Sequence, residues 1–216
     1  MRFASCLVAS ALLVSSFPAS AQLSPGTSGF SSAPVSASEA EYWSMVRTLG
    51  GCLADSKRAQ SEAFLATASG TPEESAAFAP LFHRKSNRCM GNFVRASIVR
   101  AHIRGSIAEG LFEQMDETQR AQGLAMPIAE PESIRSLHDF ARCYVSRQQA
   151  DAVALLSETK LASKGESEAI RQMSADFSEC FPADREVTIV PIDIRMAIAE
   201  QLYHAARRPV QTQVVN

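Results

Sequence analysis

The chain has 216 residues, 46% of them hydrophobic and 20% charged, with a formal net charge of −2. That balance excludes a disordered polyelectrolyte and gives no global electrostatic case for nucleic acid. After residue 22 no stretch reaches the roughly 18 consecutive apolar residues of a membrane helix, so the reading is one globular domain of two subdomains, burying about 70% of its unfolded surface.

The N-terminus reads as an export signal at residues 1–21. Met1-Arg2 gives a positive start, residues 3–14 an apolar run, and Ala19-Ser20-Ala21 the small-x-small pattern of a cleavage site. Cleavage before Gln22 would leave 195 residues and remove Cys6, so that four cysteines remain. The expected location is periplasmic or extracellular, where disulfides are the default. The 36 residues between cysteines and the lack of any CxxC argue against zinc. Residues 22–37 are rich in Ser, Gly, Pro and Ala, carry no charge, and read as a flexible linker.

Cysteine spacing organises the rest. Cys52 and Cys89 are 37 positions apart, Cys143 and Cys180 are also 37 apart, and the second pair follows the first at an offset of 91. The same gap-free offset lays Arg104-Gly105-Ser106-Ile107-Ala108-Glu109-Gly110-Leu111-Phe112 on Arg195-Met196-Ala197-Ile198-Ala199-Glu200-Gln201-Leu202-Tyr203. The sequence therefore predicts an all-α fold, a tandem duplication of a roughly three-helix unit with approximate two-fold symmetry, stapled by disulfides. Repeat 1 spans 38–112, a linker 113–131 and repeat 2 132–207; residues 208–216 form a tail, with fraying from Arg207. Four cysteines permit three pairings. A single ancestral unit favours Cys52 with Cys89 and Cys143 with Cys180, each loop contributing on the order of 3 to 4 kcal/mol.

Order is expected from Ser38, where Ser38-Glu39-Ala40-Glu41 has the capping-box form. Trp43, Val46, Leu49 and Leu53 recur at helical spacing, with a bend expected at Gly50-Gly51; their counterparts are Ile134, Leu137, Phe140 and Tyr144. A second helix is expected from about Ser56 to Thr67, and from about Gln148 to Ser157. Thr71-Pro72-Glu73-Glu74 caps a third, broken at Pro80, and Ser163-Lys164-Gly165-Glu166 caps its counterpart, which presents Ala169, Ile170, Met173 and Phe177. The end of this helix is expected to carry Cys89 or Cys180. Asn92 to Val99 and Asp184 to Val190 read as extended. A final amphipathic helix then starts near Arg100 and at Pro191, with Ile103, Ile107, Leu111 and Phe112 matching Ile194, Ile198, Leu202 and Tyr203.

No metalloprotease, serine-hydrolase, Walker-type or dinucleotide motif is present. Ser157-Glu158-Thr159-Lys160 matches SxxK but lacks the companion motifs. His83, His102, His138 and His204 have Ser174, Asp193, Arg47 and Glu113 as counterparts, so no histidine is duplicated. No catalytic residue, metal or cofactor is assigned.

Two charge patterns remain. Arg104 and Glu109, with Arg195 and Glu200, are repeated, and a spacing of five leaves each pair some 140° apart on its helix, too far to bridge. A reciprocal exchange between repeats, Arg104 to Glu200 and Arg195 to Glu109, would satisfy all four; a pair of equivalent ligand pockets is the functional alternative. Residues 41–112 carry net +3 and residues 132–203 net −4, and 75–108 contain no acid. Arg84, Lys85, Arg88, Arg95 and Arg100 are the candidate contacts for an anionic envelope component, or for the acidic second repeat. The expected function is a non-enzymatic binding or structural protein of the cell envelope. The alternative is an enzyme with its site in the cleft between the repeats. A concave pocket holding His102 or His138 with carboxylates favours the enzyme, a convex basic face the binding protein.

Overall fold

The computed structural model describes residues 39–82, 88–90, 98–181 and 190–208. They form α1 (Glu39–Ser56), α2 (Arg58–Leu65), α3 (Pro72–Phe78), α4 (Arg100–Glu113), α5 (Glu117–Leu124), α6 (Leu137–Arg147), α7 (Gln149–Glu158), α8 (Lys164–Met173) and α9 (Pro191–Ala206). Short 3-10 turns cover Ala79–Phe82, Arg88–Met90 and Phe177–Cys180, and no strand occurs among the described residues. The all-α expectation holds to that extent. The leader, the linker, Ser38 and most of the two segments read as extended lie outside the described residues; Val99 and Val190, which end those segments, have extended backbone.

Helix starts follow from side-chain caps. Thr71 accepts from the Glu74 amide with Pro72 in the first turn, and Ser163 accepts from the Glu166 amide. The two glutamates reach back one residue beyond the cap, to the Gly70 amide at 2.9 Å and the Ala162 amide at 2.6 Å. Pro80 cannot donate to a continuing helix, and α3 gives way to a 3-10 turn there. The cysteines are not carried by α3 and α8 as expected: Cys89 and Cys180 sit on the separate turns Arg88–Met90 and Phe177–Cys180. Cys52 is bonded to Cys89 and Cys143 to Cys180, with Cα separations of 5.5 and 5.8 Å.

α4 is the centre of the packing, with α1 on one side and α9 on the other. Every residue from Ile103 to Phe112 is buried, so the expected one-sided amphipathic helix is instead enclosed all round. Small side chains make this possible. Tyr42 meets His102, Ser106 donates to the Val46 carbonyl at 3.0 Å, and Gly110 lies against Gly51 and Ala54, so α1 runs beside α4 in the same direction. α1 is helical throughout, Gly50-Gly51 included. Gly50 serves packing, because a Cβ there would overlap the Ser106 side chain.

Three further expectations are corrected. The linker 113–131 contains α5, whose start is fixed by Asp116 accepting from the Thr118 and Gln119 amides, and whose Gly123 touches the Ala206 carbonyl of α9. α6 begins at Leu137, the counterpart of Val46, seven residues into α1. Ser136 takes the cap by accepting from the Asp139 amide, leaving Ile134 outside the helix, half-buried, and Leu137 40% exposed. Arg207 and Arg208 are not frayed. Arg207 pairs with Glu62, while Arg208 donates to the Gly123, Met126 and Pro127 carbonyls and so caps the end of α5.

Candidate functional site

Two arginines reach the core, and each needs every donor matched because a buried unpaired charge is costly. Arg104, 2% exposed, gives Nε to Glu200, one terminal nitrogen to the Phe64 carbonyl and Glu74, and the other to the Leu65 and Thr67 carbonyls. Its closest approach to Glu200 is 2.7 Å. Arg195, 0% exposed, holds Glu109 at 2.6 Å and donates to the Leu155, Leu156 and Thr159 carbonyls. Each guanidinium thus caps the C-terminal end of the preceding short helix, α2 or α7, where the helix dipole favours a cation. Each also meets the capping-box carboxylate of the following helix: Glu74 lies 3.3 Å from Arg104, and Glu166 lies 3.6 Å from Arg195.

Around Arg104 the pairing extends into a chain. Arg100 is 3.2 Å from Glu74 and also donates to Ser75, so charges alternate through Arg100, Glu74, Arg104 and Glu200. Two histidines close on Glu200 from the other side, His138 Nδ1 at 3.6 Å and His204 Nε2 at 3.5 Å. Burial works to raise the Glu200 pKa, but bonding from His204 and Arg104 and the charges of Arg104 and His138 outweigh it and bring it to about 2. Glu200 is therefore held as a carboxylate. At the Arg195 end, by contrast, burial pushes Glu166 up against the opposing charge of Arg195, and burial with the neighbouring Glu109 raises Glu113. The counterparts of His138 and His204 there are Arg47 and Glu113.

Over the Glu200 end lies a cavity of about 910 Å³. Its walls come from the loop after α2, from α3, α4, α6 and α9, and from the chain at Ile128 and Ala129. It exists where α6 lacks the first two turns that α1 has. Four arginines (Arg100, Arg104, Arg142, Arg208) and two histidines (His138, His204) line it, against two carboxylates, Glu74 and Glu200, both already engaged by arginine. Leu65, Ala101, Ile128, Ala129 and Ala205 supply apolar wall. A volume of this size suits a small organic molecule.

Of the residues singled out in the basic stretch, Arg84, Lys85 and Arg95, with His83, lie outside the described residues. Arg88 is exposed beside the Cys52–Cys89 disulfide, and Arg100 lines the cavity while bound to Glu74. His102 is elsewhere, bridging Tyr42 Oη at 2.9 Å and its own counterpart Asp193 at 2.8 Å, a contact that joins α1, α4 and α9. Ser157 of the SxxK match donates to the Val153 carbonyl. Among the described residues no group of three or more His, Cys, Asp or Glu is placed to hold a metal ion. Sequence reasoning missed Glu74 and Glu166 as partners of the buried arginines, because their capping-box spacing accounts for them locally. It also missed His204 beside Glu200, for which the i, i+4 spacing was the available signal. Comparison with family models, with curated proteins and with solved structures finds no match.

Proposed function

We propose that this chain is an exported tandem duplication that binds a small organic anion in the cavity between its two repeats, as a non-enzymatic component of the cell envelope. The observation that carries this reading is the cavity's charge: four arginines and two histidines line it against two carboxylates, Glu74 and Glu200, which Arg100, Arg104 and the histidines share, while Arg142 pairs with Asp139. Electropositive concavities concentrate anions. The place of Arg100 on that wall supports moving the expected anion contact from a convex face to a cavity. Two disulfides, and the lack of any helix among the described residues long and apolar enough to cross a membrane, support export through the signal at 1–21. The matched disulfides, the matched caps at Thr71 and Ser163, and the reciprocal Arg104–Glu200 and Arg195–Glu109 pairs support duplication with an approximate two-fold relation.

The test is thermal denaturation of the purified chain with hexanesulfonate, sulfate and hexanol. A bound anion at a hundred times its Kd adds about 2.7 kcal/mol of stability. Hexanesulfonate should raise Tm more than either fragment, high salt should weaken the effect, and Arg142→Gln should reduce it. Equal response to hexanol and hexanesulfonate would defeat the anion reading.

A second reading, an enzyme in the same cleft, is favoured by one observation: the ionised Glu200 sits behind His138 and His204 as carboxylates do behind a general-base imidazole. Time-dependent hydrolysis of carboxylic esters, lost in both His138→Gln and His204→Gln, would establish it.

A further inference from the structure

The anion reading leaves open which groups touch the ligand, and the hydrogen-bond inventory narrows them. Arg104 lines the cavity, yet its five N–H donors all go to Glu200, Glu74 and the carbonyls of Phe64, Leu65 and Thr67. Arg208 is similarly occupied, giving Nε to the Ala205 carbonyl and its terminal nitrogens to those of Gly123, Met126 and Pro127. Arg100 differs: one terminal nitrogen donates to Glu74 and Ser75, and its buried Nε has no hydrogen-bond partner. Arg104 and Arg208 build the wall. His138 and His204, whose side chains are 30% and 37% exposed, Arg142, 45% exposed and paired with Asp139, and Arg100 line the cavity without such a set of carbonyl partners.

We infer that His138 and His204 are the ligand-contacting donors of this cavity, and that an anion entering it is bound together with protons taken up by these two imidazoles. The inference rests on the anion-binding reading and deepens it. A neutral imidazole offers one N–H and no charge, whereas the protonated ring donates from both nitrogens: one can stay on Glu200 while the other turns to the ligand. The surroundings fit that role. His138 pairs with Glu200 of α9, with Asp139 and Arg142 on its own helix; His204 pairs with Glu200 and lies against the Tyr203 ring; Arg104 and Arg100 of α4, Glu74 of α3 and Arg208 share the cavity lining with both. Glu200 is shared by Arg104 and both histidines, so without ligand a doubly protonated pair lacks a full counter-charge. A bound anion supplies it, and linkage makes the effect reciprocal: if protons favour the anion, the anion favours protons by the same factor.

The experiment uses probes that stay fully ionised, sulfate and hexanesulfonate, titrated into the full mature chain by calorimetry at several points between about pH 8 and pH 5. The expected result is that affinity rises at least about fivefold as pH falls, with net proton uptake read from buffers of different ionisation enthalpy. His138→Gln and His204→Gln should each flatten the profile, and the double variant should abolish it. Arg142→Gln should lower affinity equally at every pH, which separates a lost charge from a lost proton site. Near-ultraviolet circular dichroism confirms the fold of each variant. Affinity that is measurable but constant with pH, or a pH profile that survives in the double variant, overturns the proton-linked assignment and leaves the anion reading standing. Absence of binding by either probe at every pH overturns both.

Discussion

Arg104 and Arg195 each carry a charge into the core, and what keeps them there is a complete set of partners: one carboxylate from the other half of the chain, one capping-box carboxylate, and the last carbonyls of a short helix. Removing one member strands the others, which typically costs 3–5 kcal/mol. Arg104→Ala is therefore expected to lose about that much in urea unfolding, and well under the sum of the single losses should remain when Glu200→Ala is added, because the cycle contains the pair's coupling. The two clusters differ in pH dependence. Glu200 has its folded pKa depressed from 4.5 to about 2, so its contribution is present above pH 4.5 and lost as pH falls toward 2. Glu166 has its folded pKa raised by burial, so its contribution is present below 4.5 and lost as pH rises through the folded value. Unfolding free energies measured across acid pH should show Glu200→Gln removing part of the acid-side loss, while Glu166→Gln leaves that limb in place and removes part of the loss above it. At this scale the repeated Arg and Glu positions were readable because four charges recur at one offset. The third partners were not, since a capping-box glutamate in a sequence explains itself locally and gives no sign that its other oxygen faces a buried guanidinium.

Helices in this molecule approach one another at glycines that look alike in the sequence and differ in consequence. Gly105 sits where α4 crosses α9, and a Cβ there would overlap the backbone of Met196, its own counterpart; Gly51 in α1 has open space at the same point. Replacing a helical glycine by alanine favours the helix by roughly 0.5–1 kcal/mol, while overpacking costs roughly 1–3 kcal/mol. Gly51→Ala should therefore raise the urea midpoint and Gly105→Ala should lower it; a shift of the same sign in both would contradict the crossing described. The disulfides also diverge. Cys143 and Cys180 are 3% and 2% exposed, whereas Cys52 and Cys89 are half-buried, so stepwise reduction with dithiothreitol and alkylation should label Cys52 and Cys89 first. Element starts were legible at the caps Thr71 and Ser163 and at Pro191. They were not legible at residues 130–136, where apolar Ile134 keeps the helical period but Ser136, three residues before Asp139, offers a better cap. That choice shortens α6 and opens the cavity, so the site depended on a local competition that periodicity could not decide. α5 was hidden for the related reason that Gly123, Pro127 and Pro131 read as linker punctuation, although Gly123 is in fact a contact surface against α9.

On the scale of the whole chain, α4 and α9 hold the halves together, and each supplies the carboxylate that the other's arginine needs. An isolated N-terminal half keeps Arg104 and Glu74 but loses Glu200, and it keeps Glu109 without Arg195. It also exposes one face of a helix that is enclosed on all sides in the intact molecule. Because α4 carries both Arg104 and Glu109, two copies of this half can exchange them across a shared axis if the proposed duplication holds, and Gly105 facing Gly105 leaves more room than Gly105 facing Met196. A chain of residues 38–115 with its disulfide formed is therefore expected to sediment as a dimer whose Tm rises with concentration. Arg104→Ala in that fragment should abolish the dimer, and equimolar residues 132–208 should compete for it by restoring the native pairing. A folded, concentration-independent monomer would mean that the exchange across α4 and α9 is dispensable, and would count against the proposed duplication.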